Sequence, residues 1–157
     1  MKSVPIFVFI SLILIISCTR TETKPSTQFV SVNTNEIPWR VDTIHPTLRW
    51  DVKDLFTDPE TGIDMALVRY PAGIVNPWHT HPHGHGMYVL EGKLVTSRGT
   101  YGPGTFIWFP EGEVMEHGAS SEGDALFLFV SNKPFSINYV KAPPTSGEDK
   151  KEEIDKK

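Results

Sequence analysis

Four histidines stand at alternate positions in one short stretch: His79, His81, His83 and His85. In an extended chain, residues i and i+2 point to the same face, so His79 and His81 can present two imidazoles inward together, as a metal site requires. Pro82 and Gly84 interrupt a continuous strand, so the chain is expected to bend there and reorient the last two histidines. Apolar Trp78 and Met87 flank the run, which favours a buried site; the alternative is an exposed His-rich loop that scavenges metal. Fe(II), Mn(II), Ni(II), Cu(II) and Zn(II) all accept imidazole, so the expected cofactor is one divalent transition metal whose identity stays open. Of the other two histidines, His117 lies far downstream and His45 precedes Pro46 in an N-terminal segment, where a surface position is expected.

Competing chemistries find little support. The chain has 157 residues, 15 basic and 19 acidic, for a formal charge of −4. Between Phe29 and Val140 there are 7 Lys/Arg against 13 Asp/Glu. An acidic domain without a basic stripe argues against nucleic acid as a partner. A P-loop, a Rossmann glycine fingerprint and a G-x-S-x-G elbow are all absent from the sequence. The hydrophobic fraction of 39% and aromatic fraction of 11% suit one packed core.

The domain that positions the histidines is bounded by two different tails. Lys2, the apolar run Val4 to Ile16 and then Ser17-Cys18 read as a signal segment over residues 1–17, too short to span a bilayer comfortably. Ile15-Ile16-Ser17-Cys18 resembles a bacterial lipobox, and Cys18 is the only cysteine in the chain. The expectation is a lipoprotein of the bacterial cell envelope, held to a membrane by acyl chains on Cys18, with a polar linker over 18–36. A barrel is expected over 37–141. Residues 142–157 open with prolines, and nine of the ten residues from Glu148 to Lys157 are charged, as in a solvated tail.

Between these ends run short β segments punctuated by Gly and Pro. Ile63–Tyr70 follows the turn signal Asp58-Pro59-Glu60-Thr61-Gly62, and Met87–Glu91 and Lys93–Arg98 flank Gly92 as an expected hairpin. Thr105–Phe109, Ala125–Val130 and Phe135–Val140 complete the pattern. Strands at this spacing indicate an all-β sandwich or barrel.

At this point the residues resemble the cupin superfamily, whose first motif is G-(x)5-H-x-H-(x)3–4-E-(x)6-G. The chain supplies Gly73, His79, His81, His85 and Gly92 at those spacings, with His85 in the glutamate position. The second motif, G-(x)5-P-x-G-(x)2-H, matches at Gly104, Pro110 and Gly112, but Met115 occupies its histidine slot and His117 follows two residues later. The resemblance covers roughly Trp39–Val140. It implies a double-stranded β-helix, the cupin or jelly-roll barrel, with His79, His81 and His117 as three imidazole ligands and His85 replacing the carboxylate. Such an all-histidine site is similar to that of some small single-domain cupins. Thioether suits Cu(I) and little else, which favours His117 over Met115.

Neutral imidazoles leave the metal charge uncompensated, so a small anionic or enolisable substrate is expected, with dioxygenase-type oxidoreductase chemistry as the leading reading. The alternative is a non-catalytic domain that binds or senses a small molecule, as in the cupin-like half of ChrR-type anti-sigma proteins; no Cys/His-rich segment precedes the barrel in this sequence. Met87, Trp108, Met115 and Phe129 are candidates to line a substrate pocket, with barrel packing the plainer role for Met87, Trp108 and Phe129. His83 is expected at the site mouth or behind the ligands, Glu116 on the face away from His117, and Arg69 and Tyr70 either at an anionic substrate or on an edge-strand surface. Pairing of N-terminal strands around Trp39–Asp54 into a homodimer rests on the family resemblance alone.

Overall fold

The computed structural model describes residues 29–144, which contain eleven strands and no helix. In chain order these are β1 (Arg40–Asp42), β2 (Trp50–Thr57), β3 (Asp64–Tyr70), β4 (Val75–Thr80), β5 (His85–Glu91) and β6 (Leu94–Thr96). They are followed by β7 (Gly99–Tyr101), β8 (Phe106–Phe109), β9 (Met115–Ala119), β10 (Ala125–Ser131) and β11 (Asn138–Tyr139). A six-stranded sheet runs β1-β2-β3-β10-β5-β8, and a five-stranded sheet runs β11-β4-β9-β6-β7. All pairings are antiparallel. The result is the expected all-β jelly-roll barrel of the cupin type. The signal segment, Cys18 and residues 145–157 of the tail lie outside the described residues.

The larger sheet follows the period-two pattern of its sequence. On β10, Ala125, Phe127, Phe129 and Ser131 are buried while Leu126, Leu128 and Val130 face outward and are only partly covered. On β3, Ala66, Val68 and Tyr70 turn inward in the same way. These rows meet Trp50, Val52, Met87 and Val89 in one core cluster. Full burial of a ring such as Phe127 stabilises by about 1.5–3 kcal/mol.

Two expectations need correction. The segments around Gly92 do not form a hairpin: β5 pairs with β10 and β8, whereas β6 pairs with β7 and β9. Gly92 instead passes the chain from one sheet to the other at φ 70°, and a Cβ there would run into the Asp124 carbonyl. The tight hairpin is β6–β7. Likewise, only Asn138–Tyr139 of the Phe135–Val140 run pairs as a strand, because the loop before it is drawn towards the histidines.

Part of the expected linker lies against the barrel. Lys53 Nζ donates to the Thr34 carbonyl at 2.6 Å, and Lys53 and Arg69 stand over the Trp39 ring from the outer face of β2 and β3.

Candidate metal centre

His79 and His117 project from neighbouring strands β4 and β9, His81 follows in the bend after β4, and His85 opens β5 in the other sheet. The bend at Pro82 to Gly84 lies where the sequence places it. A register shift between Asn76 and His79 adds a second device. Simple alternation puts positions three apart on opposite faces, yet both Asn76 and His79 are buried, at 3% and 0% exposure. Pro77 cannot donate to the ladder, and the carbonyl it holds in this bulge accepts the Nδ1–H of His79 at 2.6 Å.

The rings of His79, His81 and His117 are each held at Nδ1. His81 Nδ1–H donates to the Ser136 carbonyl at 2.5 Å, and His117 Nδ1 lies 3.3 Å from the Tyr70 phenol oxygen. A carbonyl can only accept, so Nδ1 carries the proton in His79 and His81, and in the neutral rings Nε2 keeps its lone pair. The Nε2 atoms of His79 and His117 are buried without a hydrogen-bond partner. One ligand atom each from His79, His81 and His117 lies within 4.8 Å of the others. Unpartnered buried nitrogens, oriented from behind and converging, fit a divalent ion bound by imidazole.

Burial keeps these rings neutral. Desolvation pushes His79 and His117 below the ordinary histidine value, His117 well below it, and lowers His81 to about 4 against the opposing Ser136 hydrogen bond. His85 is pushed down to about 2, first by burial and then by the neighbouring histidines. Neutral imidazole is the form that binds metal, so the site is preset for a cation.

His85, the expected replacement for the family carboxylate, stands beside the group of three rather than in it. Its ring centroid is 4.6 Å from that of His81 and 6.3 Å from that of His117, it stacks on Phe109 and Phe129, and neither ring nitrogen has a partner. His83 is buried behind the site, with Nε2 accepting from the Ser136 amide at 3.3 Å. The backbone of Ser136 thus holds His81 and His83 together. His45 accepts the Thr47 and Leu48 amides and braces a loop near Tyr139.

A cavity of about 290 Å³ reaches His81 and His117, with Trp50, Met87, Phe127, Phe129 and Phe135 among its walls. Met87 and Phe129 line it. Trp108 does not: on β8 it faces outward, 48% exposed, with its ring over Gly84. Met115 points inward and packs in the core cluster rather than on the cavity wall, while His117 lines the cavity and lies in the converging group of histidines. Arg69 and Tyr70 separate by strand alternation, Arg69 outward onto Trp39 and Tyr70 inward.

Two polar residues at this site, Asn76 and Tyr139, were given no role in the sequence reading. Tyr139 Oη donates to Asn76 Oδ1 at 3.1 Å, and Asn76 shares the cavity wall with Tyr70, whose phenol adjoins His117. Burial raises the Tyr70 phenol far above its ordinary value, so it stays protonated. The only local signal for Asn76 was Pro77, whose bulge reverses its face.

A family model for the ChrR cupin-like domain matches residues 27–136. No curated protein sequence matches the chain. Among solved structures, an RmlC-like cupin protein from Ralstonia eutropha is similar with a TM-score of 0.64 and 17% identity, over 83% of this chain and 89% of that one. A candidate acetylacetone dioxygenase from Methylibium petroleiphilum gives 0.63 and 18%, over 78% and 90%. The Rhodobacter sphaeroides complex of SigE with the anti-sigma ChrR gives 0.52 and 20%, over 63% of this chain and 51% of that one.

Proposed function

The chain belongs to the ChrR cupin-like domain family, and from that premise we propose that it is a metal-dependent oxidoreductase of dioxygenase type, acting on a small enolisable molecule. The observation that carries the reading is the convergence of His79, His81 and His117 on one point, with the rear nitrogens of His79 and His81 tied to carbonyls and that of His117 beside the Tyr70 phenol. His85 is the fourth ligand of this proposal, supported by its burial and its two partnerless nitrogens. When bound, a divalent ion would supply Lewis-acid and, for a redox metal, electron-transfer chemistry beside the cavity. The imidazoles orient the ion, Tyr70 holds His117, and Met87, Phe127 and Phe129 exclude water from the chamber. A neutral donor set leaves the ion's charge uncompensated, which favours an enolate or carboxylate head. The converging group contains no carboxylate, which favours this chemistry over hydrolysis by a metal-bound water with an adjacent base.

The match to the ChrR domain favours a second reading, metal-dependent binding or sensing of a small molecule without turnover. Oxygen uptake separates the two. The purified chain, loaded in turn with Fe(II), Mn(II), Ni(II), Cu(II) and Zn(II), is offered β-diketones and phenols in an oxygen electrode. The enzyme reading expects stoichiometric oxygen consumption with at least one redox metal, lost in the His79→Ala/His81→Ala variant. Ligand binding without oxygen uptake in any form supports the sensing reading. Anchoring to an envelope membrane through Cys18 belongs to the same proposal; labelled fatty acid should enter the wild-type chain and not Cys18→Ser. So does a homodimer through the edge strand β1, which light scattering reads directly.

A further inference from the structure

The outer face of the six-stranded sheet is covered on one half and bare on the other. The N-terminal segment lies over β2 and β3: Val30 and Val32 share a groove with Leu55, Phe56 and Met65, and Trp39 meets Lys53 and Arg69. On the other half, β10 turns Leu126, Leu128 and Val130 outward, each partly covered. Beyond them Tyr88 and Leu90 on β5 and Phe106 and Trp108 on β8 are 39% to 58% exposed. None of these seven side chains carries a charge. The register joins the halves in one row, Met65 opposite Val130, Val130 opposite Gly86 and Gly86 opposite Trp108. At about 4.8 Å per strand, Met65 in the N-terminal groove lies about 14 Å from Trp108 on the same face.

The bare half is shaped as well as apolar. A Cβ at Gly86 would come within 2.5 Å of the Phe106 ring, and one at Gly84 within 2.6 Å of the Trp108 ring. Rings seated against glycine backbone need little further ordering when something covers them. Together with Tyr88 and Leu90 they leave roughly 400 Å² exposed, much for a monomer but only about half of the 800 Å² each partner buries in a stable dimer. A patch of Trp, Tyr, Phe and Leu is the composition favoured at a lipid–water interface. The chain also starts from this face: Phe29, 95% exposed, precedes Val30. Ten residues separate it from Cys18, a reach of at most about 40 Å. A domain of this size is about 35 Å across, so half its circumference exceeds about 50 Å, and a tether leaving this face cannot set the opposite one on the membrane.

We propose that the face formed by Tyr88, Leu90, Phe106 and Trp108 docks on the lipid–water interface of the membrane to which Cys18 anchors the chain. The proposal rests on the reading of Cys18 as the lipidated residue and extends it from a tether to an orientation. The tether makes a modest patch sufficient, because docking becomes an intramolecular step at high effective concentration. A free second copy has no such help and would have to cover the missing area. The homodimer through β1 uses the opposite edge of the sheet and leaves this face open.

The test expresses the full chain in a bacterial host that lipidates lipoproteins, and mass spectrometry first reads the lipid on Cys18. The chain is reconstituted into vesicles of phosphatidylethanolamine and phosphatidylglycerol whose acyl chains carry bromine either near the headgroup or near the methyl end. Bromine near the headgroup should quench tryptophan fluorescence more than deep bromine, and Trp108→Phe should reduce that quenching at least about twofold. Tyr88→Ser with Phe106→Ser leaves Trp108 in place and should lower the quenching as well, which keeps the test open if the first variant misfolds. Equal quenching in wild type and Trp108→Phe, or none in the lipidated wild type, overturns the inference. So does a dimer that shields Trp108 from both bromine and aqueous iodide, which is the second-copy outcome. Absence of lipid on Cys18 contradicts the anchoring reading alone; sedimentation of the unmodified chain with the same vesicles then decides the face. Co-sedimentation that Trp108→Ser reduces supports docking, and none, or an equal amount in that variant, overturns it.

Discussion

Two groups of polar side chains around the chamber behave in opposite ways. Among the carboxylates the ion pairs close on themselves: Arg40 binds Asp54 and Asp42, and Asp64 accepts from Thr57. Among the imidazoles, four buried ring nitrogens of His79, His85 and His117 have no partner. A buried polar group left unpaired costs about 1–3 kcal/mol, so a fold that accumulates several at one point, with His79 held from behind by a carbonyl and His117 by the Tyr70 phenol, is organised around something that pairs them. The carboxylate group is complete within the protein. The imidazole group is incomplete as protein and can act by coordination.

Acid should break this symmetry most strongly. The folded values of His79, His81, His85 and His117 lie below the unfolded value near 6.5, so between those limits the unfolded chain binds more protons. The stability these residues allow is fully present above about pH 6.5 and falls as pH drops towards about 4, by up to about 1.4 kcal/mol per histidine per pH unit. Asp54, held below the ordinary carboxylate value by Arg40, loses its contribution only as pH falls below about 4. Urea midpoints of the metal-free chain should therefore drop steeply from pH 7 to 5; a flat profile there would equate the two groups.

Tyr70→Phe comes next in size. Removing the group behind His117 should weaken metal binding about ten- to a hundredfold with the fold intact, read by competition with a chromophoric chelator. His85→Leu sharpens the contrast from the other side. It replaces a ring with two unsatisfied nitrogens, packed between Phe109 and Phe129, by an apolar side chain. Metal-free stability should rise by about 1–2 kcal/mol while metal affinity falls, a trade that calorimetry and metal titration expose together. Smallest is Arg40→Ala: its closest pair, with Asp54, is half-exposed on both sides and contributes under about 1 kcal/mol, and buried Asp42 keeps the Ile44 amide, so the urea midpoint should barely move.

Much of the imidazole group was legible because its information is local. His79, His81 and His85 fall within one bend, and Gly104, Pro110 and Gly112 mark the turn that leads to His117. The sequence reading kept Arg69 and Tyr70 together, either at an anionic substrate or on an edge-strand surface; the structure separates them, Arg69 outward onto Trp39 and Tyr70 inward. The carboxylate group was invisible for the opposite reason: Asp42 and Asp54 come from different strands and are joined only by the reach of Arg40 between them. Asn76 was hidden by a bulge, and Ser136 acts through backbone atoms that carry no side-chain signature. Trp108 was misplaced because its strand has aromatic rings on both faces, leaving no polar residue to mark the outward one. The Gly92 hairpin failed because a glycine turn looks the same whether the chain returns to its own sheet or crosses to the other.

Metal stoichiometry tests the account most directly. Wild type and His79→Ala/His81→Ala are exposed to each candidate ion, desalted and analysed by inductively coupled plasma mass spectrometry, with circular dichroism to verify the fold of both. The account predicts close to one equivalent of a divalent transition metal in the wild-type chain and a negligible amount in the variant. A folded wild-type chain that retains none of the five ions, or a variant that retains as much as wild type, would contradict it.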